Sequence, residues 1–275
     1  MLTRVITGVV LAPLLVALLL FGPASLIVAV LTIAGWLCAR ELLAMSASLR
    51  PAQRHIAAAL CAGITASPMA GPHAWLLAAA CSPVVLLTVP LWRLTDVESG
   101  SRQSSAMTLT AAYVGMMTAS MTAVVLMVAP GWAADIPYAF GPSALLTLFA
   151  IVFAGDTGAY FAGRFFGKNK LYPMVSPQKT VEGTIGGLVA SVLAGTLCAR
   201  GLLGVADADL WRWALAALVT GAVAQVGDLA ESLFKRASGT KDSGNLLPGH
   251  GGMLDRLDGV LFGAPVFWAW LQLLP

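Results

Sequence analysis

Between Ser232 and Gly259 the chain reads SLFKRASGTKDSGNLLPGHGGMLDRLDG, a polar stretch set between two strongly apolar segments. It carries the cations Lys235, Arg236, Lys241 and Arg256, the carboxylates Asp242, Asp255 and Asp258, and His250, with glycines clustered in LPG and GHGG. Cations fixed beside carboxylates, on a backbone loosened by glycine, suit phosphate chemistry assisted by a divalent metal. Ionisable groups at membrane depth are costly, so they are rarely idle.

Two more groups of acids sit in or at the edge of apolar runs. One is Asp156 with Thr157, and Tyr160 one helical turn on; the other is Gln225, Asp228, Glu231 and Ser232. On a helix Asp228 shares a face with Glu231, Ser232 and Lys235, and Asp255 shares one with Asp258. Each group has a plain structural reading. Asp255 and Asp258 would favour a helix N-terminus by about 0.3–1 kcal/mol, and Asp228 with Lys235 would form an ion pair. Acids converging from three helices favour a functional reading instead. A second polar loop, GRFFGKNKLYPMVSPQKTVEGTIG from Gly163 to Gly186, places Lys179, Thr180 and Glu182 after a turn at Ser176-Pro177, with Lys168 and Lys170 upstream. A loop touching anionic head groups accounts for its lysines. Its hydroxyls and glycines suggest a phosphate-binding turn. Neither GxxxxGK[ST] nor GxGxxG occurs, which excludes the usual soluble nucleotide folds.

The elements that hold these residues follow from composition. Apolar residues make up 58% of the 275 and charged residues only 11%, with a mean hydropathy of +0.83. A soluble domain carries about 25% charged residues. The expected class is therefore an all-α polytopic membrane protein of about nine transmembrane helices. The apolar runs place them at 5–21, 25–43, 56–69, 74–92, 107–129, 143–161, 185–203, 213–234 and 257–274. Alternating loops then put fourteen of the sixteen Lys and Arg residues on one side and leave Arg200 and Arg212 on the other. The positive-inside rule makes the rich side cytoplasmic, so the N-terminus faces the cytoplasm and the C-terminus lies outside. An uncleaved first span fits the N-terminus better than a signal peptide. Residues 1–141 read as a transmembrane scaffold and 142–275 as a catalytic region, with cytoplasmic loops at 162–184 and 235–256. Cys38, Cys61, Cys81 and Cys198 lie in apolar runs without a CxxC spacing and read as small buried hydrophobes, not as a zinc or disulfide framework.

The spacing of Ser232, Lys235-Arg236, Lys241-Asp242, Gly244, Pro248, His250-Gly251-Gly252 and Asp255-Arg256-Leu257-Asp258 resembles the signature of the phosphatidate cytidylyltransferase (CDP-diacylglycerol synthase) family. The segments GDTGAYFAGRFFGK and SPQKTVEGTIGG are similar to that family as well, so the resemblance covers about Asp156 to Gly259. Two positions depart from it: Gln178 stands where the family usually has lysine, and Val181 where it has tryptophan.

The resemblance implies transfer of CMP from CTP to phosphatidate, giving CDP-diacylglycerol and pyrophosphate, at the bacterial inner (cytoplasmic) membrane. Asp228 and Asp255 correspond to the family's metal-binding acids; Asp258 joins them here as a third expected ligand. Mg²⁺ is the implied metal, with a second, monovalent cation such as K⁺ beside it. The expected catalytic set is Asp228, Asp255, Lys241, Asp242 and Arg256. Substrate contacts are expected from Asp156, Ser176, Lys179, Thr180, Glu182, Ser232, Lys235, Arg236 and His250. No nucleic-acid partner is expected; membrane lipid is, and a homodimer is compatible with the chain. The alternatives are a CTP-dependent polyprenol or dolichol kinase of related type and a secondary transporter, whose acids would sit nearer mid-membrane.

Overall fold

The computed structural model describes residues 2–46, 49–94, 96–131, 138–246 and 251–273. Among them are nine helices: α1 (Leu2–Phe21), α2 (Ala24–Ser46), α3 (Pro51–Ala66), α4 (Pro72–Thr88), α5 (Val97–Val125, with a π-helical segment at Ala111–Met116), α6 (Phe140–Phe166), α7 (Val181–Leu203), α8 (Leu210–Ala237) and α9 (Leu254–Leu273). Each answers to one of the nine apolar runs. Six of the nine, α2 and α4 to α8, are long and apolar enough to cross a membrane. The last helix falls short of that standard because Arg256, Asp258 and Gln272 dilute it.

Helix α7 shows what solvates the bundle. Its buried positions, Gly183, Gly187, Ser191, Gly195, Ala199 and Leu203, recur every four residues. The exposed stripe is Ile185, Val189, Leu193 and Leu197. Small residues inside and large aliphatic ones outside invert the pattern of a water-soluble helix. That arrangement suits packing in lipid, where close backbone approach drives association. A Cβ at Gly158 of α6 would lie 2.5 Å from the Cβ of Ala190, so only glycine fits this crossing. Ser191 Oγ donates to Ile151 O across the same interface at 2.9 Å. Helices α8 and α9 complete the unit, with Trp213 edge-on to Phe267 in the core.

Two helix starts and one loop depart furthest from expectation. Helix α3 begins at Pro51 rather than Ile56, because proline suits a first helical turn and Gln53 accepts from Arg50 N at 3.0 Å. Helix α5 begins at Val97, ten residues before its apolar run, behind Asp96, whose carboxylate accepts from Ser99 N at 2.8 Å. The stretch 162–184 is not one continuous loop. Helix α6 runs on to Phe166, and β1 (Lys170–Tyr172) pairs antiparallel with β2 (Ser176–Thr180). The fold is thus all-helical in its spans, with one short hairpin added.

Candidate active site

The hairpin is held from three sides. Thr180 caps α7, its Oγ1 accepting from Gly183 N at 3.1 Å. Glu182 accepts from Lys168 N (3.1 Å), Asn169 N and Asn169 Nδ2 (2.8 Å), which ties the end of α6 to the start of α7. Arg236 of α8 donates from Nε to Val175 O, at the turn of the hairpin, at 3.4 Å. Between the hairpin, the ends of α6 and α8 and the start of α7 lies a cavity of about 480 Å³.

Cationic, hydroxyl and acidic side chains all line the cavity. Ser176, Gln178, Lys179 and Thr180 of β2 line it, as do Asp156, Tyr160 and Arg164 of α6 and Gln225 and Asp228 of α8. Arg164 donates to Tyr160 Oη at 2.9 Å, which fixes the guanidinium at the rim. Lys179 Nζ meets Asp228 Oδ2 at 2.7 Å, and Gln225 Nε2 donates to Thr184 O at 3.2 Å. A volume of this size, with convergent polar groups, suits a small polar ligand.

Asp228 also belongs to a second constellation. One carboxylate oxygen each from Asp228, Glu231 and Asp258 lies within 4.8 Å of the other two. The first two come from successive turns of α8 and the third from the first turns of α9. Glu231 is fully buried, and Lys235 Nζ pairs with its Oε2. The same ammonium meets Asp255 Oδ1 at 2.8 Å. Three of these four carboxylates pair with two ammonium groups, Lys179 and Lys235, and Asp258 pairs with neither among the described residues, which leaves an excess of two negative charges. Carboxylates this close require a cation or a proton between them. A hard divalent ion with oxygen ligands fits both the charge and the donor set.

Asp255 was expected among the ligands, yet it stands beside this group rather than in it. Its Oδ2 accepts from Ser243 N (2.8 Å) and Gly252 N (2.7 Å) and lies 2.8 Å from Ser243 Oγ, while Oδ1 faces Lys235. It thus straps the polar stretch to the start of α9. Glu41 of α2 completes the strap, accepting from Met253 N (3.0 Å) and Leu254 N (2.8 Å) and meeting Ser243 Oγ at 3.0 Å.

The expected residues therefore divide. Asp156, Ser176, Lys179, Thr180 and Asp228 meet around the cavity; Asp228 and Asp258 meet with Glu231. Among the described residues Ser232 Oγ reaches only Asp228 Oδ1, at 3.4 Å. Glu182 and Arg236 brace the hairpin instead of lining the cavity. Lys241, Asp242 and Arg256 are exposed and lie outside the cavity walls. His250 falls outside the described residues. Sequence reasoning gave Glu231 no ligand role, although its offset of three from Asp228 was the signal. It also missed Glu41, whose partners lie more than 200 residues away.

A sequence model of the cytidylyltransferase family matches residues 2–274. Among curated relatives, phosphatidate cytidylyltransferase of Haemophilus influenzae is 46% identical over 126 residues, covering 45% of this chain and 43% of its own. The protein of the same name from Brucella suis is 48% identical over 129 residues, 47% of each chain. That from Staphylococcus haemolyticus is 46% identical over 124 residues, 44% of this chain and 46% of its own. The chain spans about half the length of the relatives it matches.

Proposed function

The chain belongs to the cytidylyltransferase family, and from that premise we propose that it transfers CMP from CTP to phosphatidate, giving CDP-diacylglycerol and pyrophosphate. The observation that carries this reading is the meeting at Asp228 of a cation-lined cavity and a three-carboxylate group. The three relatives above bear the name of that activity, over less than half of each chain.

Two anions must meet in this reaction. An oxygen of the lipid phosphate attacks the α-phosphorus of CTP, the bond from that phosphorus to the bridging oxygen of the β-phosphate breaks, and pyrophosphate departs with the bond's electrons. Neutralising charge comes before any other requirement. Lys179 and Arg164 stand on the cavity wall where they can hold a triphosphate, and Ser176, Thr180 and Gln178 offer neutral donors beside them. Asp228, Glu231 and Asp258 would hold Mg²⁺, a revision that puts Glu231 in the place expected of Asp255. When bound, the metal supplies positive charge to the phosphates as they react. Lys179 balances Asp228 until anionic substrate draws it away, and Lys235 bridges Glu231 and Asp255 as their shared counter-ion.

The nine helices are taken as nine spans with the N-terminus in the cytoplasm, on the strength of the charge split between the loops. CTP then reaches the cavity from the cytosol while phosphatidate stays in the bilayer. The test uses purified protein with phosphatidate, Mg²⁺ and CTP labelled at either the α- or the γ-phosphate. Label from the α position should appear in extracted lipid. Lipid labelled from the γ position, with CDP released, would identify a lipid kinase instead.

A further inference from the structure

A second cavity, of about 470 Å³, lies between the end of α2, the start of α3 and residues 243–246. We propose that it binds the phosphate of an anionic phospholipid, at a site separate from the candidate active site. Its cationic residues are Arg40 and Arg54, with His55 beside them, and its apolar ones are Leu37, Ala44 and Leu246. The arginines are not spent elsewhere among the described residues. Arg54 Nε is buried with no hydrogen-bond partner, and Arg40 rests its guanidinium on the Trp36 ring at 4.7 Å, which leaves its donors free to turn outward. The one acid in the wall, Glu41, accepts from Ser243, Met253 and Leu254 and forms no ion pair with either arginine among the described residues. An unmatched pair of guanidinium groups in a half-enclosed cavity calls for an anion, and guanidinium matches phosphate oxygens well.

The surroundings say which anion. Arg40 lies near the end of an apolar span, Ala24–Met45, next to a tryptophan that is half-buried, as at a membrane interface. Cations beside aliphatic side chains are what a headgroup phosphate with its acyl chains needs, and free phosphate would leave the apolar wall unused. The occupant would also be felt at the other site. Ser243, in the cavity wall, touches both Glu41 and Asp255, and Asp255 is bound to Lys235 beside the acidic group. An occupant that stiffens 243–246 therefore stiffens Asp255. Binding here does not depend on the proposed transfer reaction.

The experiment titrates dioctanoyl phosphatidylglycerol, dioctanoyl phosphatidate, dioctanoyl phosphatidylcholine and inorganic phosphate into the full chain in neutral detergent. Bound lipid is read by native mass spectrometry, and amide exchange is followed at 243–246. Wild-type protein and Asp228→Asn should bind phosphatidylglycerol equally well, with slowed exchange at 243–246. Arg40→Gln/Arg54→Gln should lose affinity by about tenfold or more, from two headgroup contacts. Arg54→Gln alone should lose part of it, and melting without lipid checks that each variant is folded. Phosphatidate, an anionic phospholipid too, should compete with phosphatidylglycerol in Asp228→Asn, and failure to compete would overturn recognition through the phosphate. Unchanged affinity in the folded double variant, equal binding of phosphatidylcholine, or inorganic phosphate binding as tightly as lipid would each overturn the proposal.

Discussion

Replacing Asp255 by asparagine removes one charge and one acceptor while keeping the size of the side chain. In the wild type Oδ2 serves the backbone N–H groups of Ser243 and Gly252 and Oδ1 serves Lys235. Asparagine has a single oxygen, so its amide NH₂ must point either at an ammonium group or at two backbone donors. A lost hydrogen bond to a charged group costs about 1.5–3 kcal/mol. Lys235 would then be left to Glu231 alone, and residues 243 and 252 would lose their common anchor. If that cost falls on the transition state, kcat drops by about 10- to 150-fold, at 1.36 kcal/mol per tenfold. Amide exchange at Ser243 and Gly252 should rise in parallel, measured on detergent-solubilised protein. A bare helix cap forecasts otherwise, since asparagine caps about as well as aspartate. Near-normal kcat with unchanged exchange at both amides would refute the strapping role.

Three further outcomes follow from the same geometry. Glu41→Ala should strand two backbone donors, Met253 N and Leu254 N, at about 1–3 kcal/mol each. It should lower the melting temperature and kcat, and Glu41→Gln should recover part of both in the same assays. Gln178 lines the cavity, so Gln178→Lys should lower the KM for CTP several-fold at unchanged kcat, a partly exposed charge contact being worth up to about 1 kcal/mol; an unaltered KM would mean that the side chain does not face the triphosphate. Reporters active only outside the cytoplasm should work when fused after Gly204 and stay silent after Gly167 or Gly244, and activity at Gly244 would reverse the proposed orientation.

What could be read in the sequence was what is local. The apolar runs gave the helices because an apolar stretch of about 20 residues in a chain so poor in charge has few other fates. Asp228 and Asp258 were legible from their place at the ends of such runs. The hairpin was not, since Lys170–Tyr172 is three residues long and Pro177 interrupts its partner. Strand pairing there rests on anchors outside the strands, at Glu182, Asn169 and Arg236. Glu41 reads in isolation as an interfacial charge beside Arg40. Its role appears only when α2 is packed against the start of α9, a contact that no spacing within the first 50 residues encodes. The first half of the chain is thus more than a scaffold, because it supplies one of the two carboxylates that fix the polar stretch.

The most direct test of the account removes the shared acid at the junction of cavity and carboxylate group. CTP labelled at the α-phosphate is incubated with phosphatidate, Mg²⁺ and either wild-type protein, Asp228→Asn, Asp258→Asn or the double variant, and label in extracted lipid is counted. The account predicts incorporation by the wild type, loss of it in each single variant, and no additional loss in the double, because each substitution disables the same metal group. Incorporation at near wild-type rate by folded Asp228→Asn at saturating Mg²⁺ would contradict it.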